Sequence, residues 1–288
     1  MIQKLAVLGA GTMGRGIAHV AALAGFSVVL HDVTAGILQE ALKTIGANMA
    51  KAIEKGKLDS SSMKIALNKL SVETDLEESV READFIFEAI MEDVEVKQPL
   101  FKRLDTLCPA EVIFASNTSA LSITELAGAT SRPDRVIGTH FFNPVHLMSL
   151  VEIVRGLETS PETVEATTGL IKRMKKEIVV INDSPGFITS RVNVMIGNEA
   201  FYMLQEGIAS ATDIDKALRL GLNHPMGPFE LVDLVGLDIR LNVLKDLHSR
   251  LGEKFRPCPL LVKYVKAGRL GRKVGRGVYE YEKRKTDK

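Results

Sequence analysis

Gly9-Ala10-Gly11-Thr12-Met13-Gly14 is the stretch that decides the fold. It follows an apolar run over residues 2–8 and opens a helical pattern. Met13, Ile17, Val20 and Ala24 recur there at helical spacing, and Gly25 closes the pattern. A G-x-G-x-x-G alone is weak, because glycine is common. Between a strand and a helix, in a unit of about 30 residues, it reads as a phosphate-binding turn. The first glycine permits the tight turn. The second lets the backbone approach a pyrophosphate at the helix N-terminus, and the third allows close helix–strand packing. Asp32 follows the next strand-like run, residues 27–30. A carboxylate there accepts hydrogen bonds from both ribose hydroxyls and repels a 2′-phosphate, so NAD is favoured over NADP, with His31 beside it softening the preference. Gly9, Ala10, Gly11, Thr12, Met13, Gly14 and Asp32 are therefore candidate cofactor contacts.

Outward from this turn the chain alternates. Strand candidates lie at 85–89, 112–115, 136–141, 150–154 and 178–181, and helical stretches at 36–55, 94–107 and 161–175. Such alternation predicts an α/β unit, a Rossmann-type doubly wound, mostly parallel sheet with helices on both faces. Asp183-Ser184-Pro185-Gly186 carries strong breaker signals. Beyond it the periodicity is helical, with no convincing strand until the last residues. A long, mostly apolar helix is predicted over 188–204, and a second starts near Thr212, read as its N-cap. Residues 223–228, Asn-His-Pro-Met-Gly-Pro, break the pattern again. Two domains are expected, an NAD-binding one over 1–184 and an all-helical one over 185–288. The helix at 188–204 carries more apolar surface than a small helical domain buries alone, which predicts a homodimer through the C-terminal domain.

Composition bounds the function. Formal charge is +1 over 288 residues, which disfavours a nucleic-acid binder. The charge is unevenly placed: residues 263–288 hold ten basic and three acidic side chains, and residues 73–95 hold ten acids against Arg81. Two cysteines, Cys108 and Cys258, are too few for a disulfide framework, so a reducing compartment is expected. No run approaches the ~18–20 apolar residues of a membrane span, and no export leader is visible. The expectation is a cytoplasmic protein with no membrane or nucleic-acid partner.

His140 is the candidate base. It ends an apolar strand, and in a doubly wound sheet that end is where ligands bind. A hydrogen-bonded structural histidine is an equal reading of the same position. Glu152 interrupts the apolar run Leu150-Val151-Glu152-Ile153-Val154. A carboxylate there needs a partner if it is buried. A His140–Glu152 pair would fix the imidazole tautomer and stabilise the imidazolium; the other reading puts Glu152 on a solvated edge. Ser116-Asn117-Thr118-Ser119 suits either ligand hydrogen bonds or helix capping, and Asn143 either substrate contact or a turn. No Cys/His cluster has metal-ligand spacing, so no metal is expected. No G-x-S-x-G is present, which argues against an α/β-hydrolase.

Taken together, GAGTMG at 9–14, ASNTSAL at 115–121, HFFNPV at 140–145, LVEIV at 150–154, DSPGFITSR at 183–191, HPMGPFEL at 224–231 and GRKVGRGVYEY at 271–281 carry a family likeness. The chain resembles the short-chain L-3-hydroxyacyl-CoA dehydrogenases, which include bacterial 3-hydroxybutyryl-CoA dehydrogenases, over essentially its whole length. The resemblance implies an NAD-binding domain followed by a helical dimerisation domain, and interconversion of L-3-hydroxyacyl-CoA with 3-ketoacyl-CoA. It implies His140 and Glu152 as the catalytic pair, with Ser119 and Asn143 near the reacting oxygen and the nicotinamide. Glu92, Lys97 and Lys273 join the glycine turn and Asp32 at the family's cofactor positions, and Asn48 and Lys55 at its coenzyme A positions. One residue departs: Ser190 stands where the family often has Asn, and its shorter side chain would have to reach the substrate carbonyl. Two rivals stand beside this reading. One is a two-domain NAD(P) hydroxyacid dehydrogenase, for which a catalytic lysine is expected. The other is a dehydrogenase-derived binding protein without turnover.

Overall fold

The computed structural model describes residues 2–282; residues 283–288, the end of the basic stretch, lie outside the described residues. The chain divides into two compact units, Met1–Ser184 and Pro185–Lys288.

In the first unit one sheet is formed by β1 (Lys4–Leu8), β2 (Ser27–His31), β3 (Leu70–Glu73), β4 (Phe85–Glu88), β5 (Ile113–Ser116), β6 (Val136–Phe141), β7 (Leu150–Arg155) and β8 (Glu177–Asn182). Their spatial order is β3-β2-β1-β4-β5-β6-β7-β8. Every neighbouring pair is parallel except β6 and β7. The helices are α1 (Thr12–Leu23), α2 (Ala35–Glu54), α3 (Ser60–Asn68), α4 (Leu76–Val80), α5 (Val94–Leu107), α6 (Ile123–Ala127) and α7 (Pro161–Arg173).

The central strands are apolar on both faces because both are covered. Leu5, Val7, Phe85 and Phe87 share one core with Ile17 of α1, Leu38 and Ile45 of α2 and Leu170 of α7. Strand alternation sends Ala6, Leu8, Ile86 and Phe114 to the other face, where Phe101 of α5 meets the Phe114 ring edge-on at 6.1 Å. Strand order reverses between β1 and β4, and a crevice outside the carboxyl ends at such a switch point is where open α/β sheets bind ligands. The glycine turn leaves β1 at that point.

Sequence periodicity marks neither β3 nor α3 nor α4. Each is short, and β3 buries none of its four residues fully, so no apolar run betrays it. Their signals are local: Asp59 and Asp75 cap α3 and α4 through backbone N–H groups of Ser62 and Glu78.

The second unit holds α8 (Thr189–Gln205), α9 (Ala211–Gly221), α10 (Pro228–Val235), α11 (Leu237–Leu251) and α12 (Pro259–Lys266). Phe201 of α8 packs edge-on against Phe229 at 5.2 Å and Tyr264 at 5.7 Å. The start of α9 needs correction. Ser210, not Thr212, is its N-cap, since Ser210 Oγ accepts from Asp213 N and Thr212 already lies in the helix. The chain end is held by Asp233, whose carboxylate accepts from Val278 N, Tyr279 N and the Tyr281 hydroxyl. Among the described residues this unit has isolated bridges, Gly271 with Arg276 and Arg276 with Glu280, and no named strand. Among the described residues no helix is long and apolar enough to cross a membrane.

Candidate active site

Two of the three turn glycines are demanded by the chain itself. Gly9 has φ +96°, and a Cβ there would stand 2.6 Å from Ala89 O. A Cβ on Gly14 would stand 1.7 Å from Gly9 O. Gly11 differs: a Cβ there meets nothing within 4 Å. Nothing in the chain itself demands glycine at Gly11, and the open space beside it suits the close approach of a pyrophosphate. The start of α1 agrees. No side chain caps it, which suits an anion at its N-terminus. Asp32 accepts from Ala10 N at 2.9 Å, which fixes the carboxylate beside the turn. His31 turns inward to Ser79 Oγ and Glu73 O, both 3.1 Å away, and burial pushes its pKa down.

Glu88, the last residue of β4, was not singled out by sequence. It is wholly buried. Lys97 Nζ lies 3.0 Å from its Oε1, and Ser116 Oγ donates to its Oε2 at 2.6 Å. Burial pushes the Glu88 carboxyl above its ordinary value, while Lys97 and the Ser116 hydroxyl pull the other way. Lys97 is 0 % exposed and also reaches Glu92 at 3.2 Å. Glu92 in turn accepts from Thr118 Oγ1 at 2.6 Å and Ser119 N at 2.7 Å. Glu92 and Lys97 therefore brace the segment after β5, leaving Ser119 exposed at its end. Asn117 Oδ1 accepts from Phe141 N at 3.1 Å and ties the ends of β5 and β6 together. None of Ser116 to Ser119 caps a helix; that role at α6 belongs to Ser122. The signal for Glu88 was available: one acid closing the apolar run Phe85-Ile86-Phe87-Glu88.

His140 and Glu152 face each other in register across the antiparallel β6–β7 pair. His140 Nδ1 lies 2.6 Å from Glu152 Oε2, and both side chains are buried. The edge reading of Glu152 fails because β8 pairs with β7 on its far side. Directly opposed residues sit close enough for short side chains to touch, so the sheet itself sets this hydrogen bond. Asn143 follows β6 on an exposed turn. The first unit thus gathers the glycine turn, Asp32, Glu92, Lys97, Ser119, His140, Asn143 and Glu152 at the carboxyl edge of the parallel strands. Asn48 lies on α2, and Lys55 is the exposed residue that closes it.

Ser190 and Lys273 belong to the second unit. Ser190 is the second residue of α8 and half-buried. Lys273 Nζ stands 2.6 Å from both carboxylate oxygens of Asp238. No group of His, Cys, Asp and Glu among the described residues is placed to hold a metal ion.

Two family models cover nearly the whole chain. "3-Hydroxyacyl-CoA dehydrogenase, NAD binding domain" matches residues 4–184, and "3-hydroxyacyl-CoA dehydrogenase, C-terminal domain" matches residues 186–281. A protein of Bacillus subtilis (strain 168), named as a probable 3-hydroxybutyryl-CoA dehydrogenase, is 49% identical over 284 residues, covering 98% of this chain and 99% of that protein. The 3-hydroxybutyryl-CoA dehydrogenase of Bradyrhizobium diazoefficiens is 46% identical over 98% of this chain and 96% of its own. Among solved structures, (S)-3-hydroxybutyryl-CoA dehydrogenase from Ralstonia eutropha superposes with a TM-score of 0.96 at 42% identity, covering 98% of this chain and 100% of that one.

Proposed function

The chain belongs to the 3-hydroxyacyl-CoA dehydrogenase family, NAD-binding oxidoreductases, and we propose that it interconverts L-3-hydroxybutyryl-CoA and acetoacetyl-CoA with His140 and Glu152 as its proton-transfer pair. The observation that carries the proposal is the buried 2.6 Å contact between His140 Nδ1 and Glu152 Oε2 at the edge where the nucleotide turn lies. An ionised carboxylate only accepts, so the Nδ1 proton is committed to Glu152 and Nε2 exchanges a proton with the substrate hydroxyl. NAD, when bound, supplies the acceptor for the hydride that leaves C3. As C3 is oxidised, its O–H bond breaks and His140 Nε2 takes the proton; Glu152 stabilises the imidazolium. In the opposite direction the same nitrogen returns it. Ser119 and Asn143 donate hydrogen bonds to the reacting oxygen. Asp32 takes the ribose hydroxyls, and Glu92, held by Lys97, fixes the segment that presents Ser119. Asn48 and Lys55 contact coenzyme A. The roles of Ser190 and Lys273 rest on the family resemblance.

The domains divide the work as 1–184 for NAD and 185–288 for substrate and dimerisation. Apolar Ile188 and Val192 at the start of the long helix α8 stay half exposed and favour a homodimer, although Val194, Ala200 and Phe201 of the same stretch are taken into the unit's own core. Light scattering at the dimer mass is the expected result. Two buried, unpaired thiols, Cys108 and Cys258, suit a cytoplasmic setting. The deciding experiment is spectrophotometric: NADH is expected to be oxidised when acetoacetyl-CoA is added. Failure with both this and longer 3-ketoacyl-CoA thioesters overturns the substrate.

A further inference from the structure

Lys176 has no part in the chemistry above, yet it is a buried cation. It is 9 % exposed, and among the described residues no carboxylate lies within ion-pair distance of it. Burial lowers its pKa, and no acid opposes the shift. A buried ammonium with no acid beside it is costly, and its hydrogen bonds are what the fold gains from it.

The local backbone turns this side chain inward. Helix α7 ends in two reversed bonds, Lys175 N to Lys172 O at 2.9 Å and Lys176 N to Ile171 O at 3.4 Å. They close over Lys175, whose φ of +58° is a left-handed conformation that disfavours a residue with a Cβ. The reversal leads into β8 and carries the Lys176 side chain to the residues that join β6 to β7. There Lys176 Nζ donates to Val145 O at 2.5 Å and to Met148 O at 2.7 Å. Next to this contact Glu177 N donates to Ser149 O at 2.8 Å. Within the turn Pro144 O accepts from Leu147 N at 2.9 Å and Met148 N at 3.0 Å. Of residues 142–149 only Val145 is buried, so the turn has few ties to the body of the unit. The ammonium supplies two of them from one atom.

What the turn carries gives these ties their use. Asn143 stands at its start, and the Phe142 ring lies 4.5 Å from the His140 imidazole. A donor to a reacting oxygen works only within a narrow geometry, which an exposed loop does not hold unaided. We propose that Lys176 is a positioning residue: its ammonium staples the turn after β6 and so holds Asn143 in place for the reacting oxygen. The inference rests on the reaction proposed above and adds to it a residue that acts through Asn143.

The test is a double-mutant cycle on the full chain, with Lys176→Met, Asn143→Ala and the two combined, assayed with acetoacetyl-CoA and NADH. Methionine fills the same space without a donor. Lys176→Met is expected to lower kcat by ~10–10²-fold, short of the ~10²–10³-fold cost of losing a stabilising donor outright. KM for NADH should stay within about twofold, because the glycine turn is untouched. In the Asn143→Ala background the same substitution should lower kcat by less than about threefold, since residues that act as one unit are not additive. Losses that multiply in full leave Lys176 a purely structural residue and overturn the proposal, as does an unchanged kcat in Lys176→Met. If Lys176→Met does not fold, Lys176→Gln, which keeps one donor group on a shorter stem, takes its place in the cycle with the same criteria. If wild type turns over no 3-ketoacyl-CoA, the substrate reading has failed on its own. Amide hydrogen exchange then decides the staple: faster exchange over residues 144–149 in the variant supports it, and unchanged exchange refutes it.

Discussion

Glu88 and Glu152 are both carboxylates at the carboxyl edge of one sheet, both wholly buried, and both set in apolar strands. They differ in what they face. Glu88 meets the ammonium of Lys97 and a hydroxyl from Ser116. Glu152 meets the imidazole of His140 across the β6–β7 pair. The first arrangement is an ion pair that braces the segment after β5. The second, in the proposed mechanism, is the pair that transfers a proton. Burial alone therefore does not mark an acid as chemical; the side chain it is paired with does.

The same substitution at both places should separate the two roles. Glu152→Gln is expected to lower turnover by ~10²–10⁴-fold, because the imidazole loses the charge that orients and stabilises it. Its thermal midpoint should move little. Glu88→Gln should show the reverse, a lowered midpoint with turnover kept within about tenfold. Steady-state NADH oxidation and thermal melts on the two variants would break the comparison if both lost turnover equally.

Lys97→Met sharpens it, since a buried charge left without its partner costs ~3–5 kcal/mol. The pH dependence carries the sign. Burial already raises the Glu88 carboxyl above its ordinary 4.5, and loss of Lys97 removes the main opposing charge. The folded variant then keeps a proton that the unfolded chain has released. Its stability should be best below the ordinary carboxylate range and should fall as pH climbs through the raised pKa. Urea melts of variant and wild type across that range measure it; a penalty that grew on acidification would exclude Glu88 as the stranded charge. Ser116→Ala, the smallest change, removes one hydrogen bond from Glu88 and should cost ~1–3 kcal/mol with turnover nearly intact. A turnover loss as large as that of Glu152→Gln would place Glu88 in the chemistry.

Much of this site is legible in the sequence where one polar residue interrupts an apolar run. Glu152 interrupts such a run, while His140 ends one and Asp32 stands just past another, after the glycine turn. Glu88 satisfies the same rule, but Lys97 stands nine positions later on a helix whose charged face looks like any solvated surface. The antiparallel turn of β7 also had a signal. Only residues 142–149 join β6 to β7, too few for the dozen or more of a parallel crossover. The place of Lys176 was not legible, because it depends on how the turn after β6 packs against α1 and the start of β8. Gly16 makes that packing close: a Cβ there would stand 2.8 Å from Val145 Cβ. The departures at β3, α3 and α4 have a different cause, since short elements with solvated faces carry too little periodicity to register.

The direct opposition of His140 and Glu152 has a consequence for how a chain comes to be functional. Strand side chains alternate, so a slip of one residue between β6 and β7 would put imidazole and carboxylate on opposite faces. Such a sheet could still be compact and well bonded along its backbone. With the proposed pair split, it would be inert rather than altered in what it accepts. Misassembled copies would dilute activity without corrupting it.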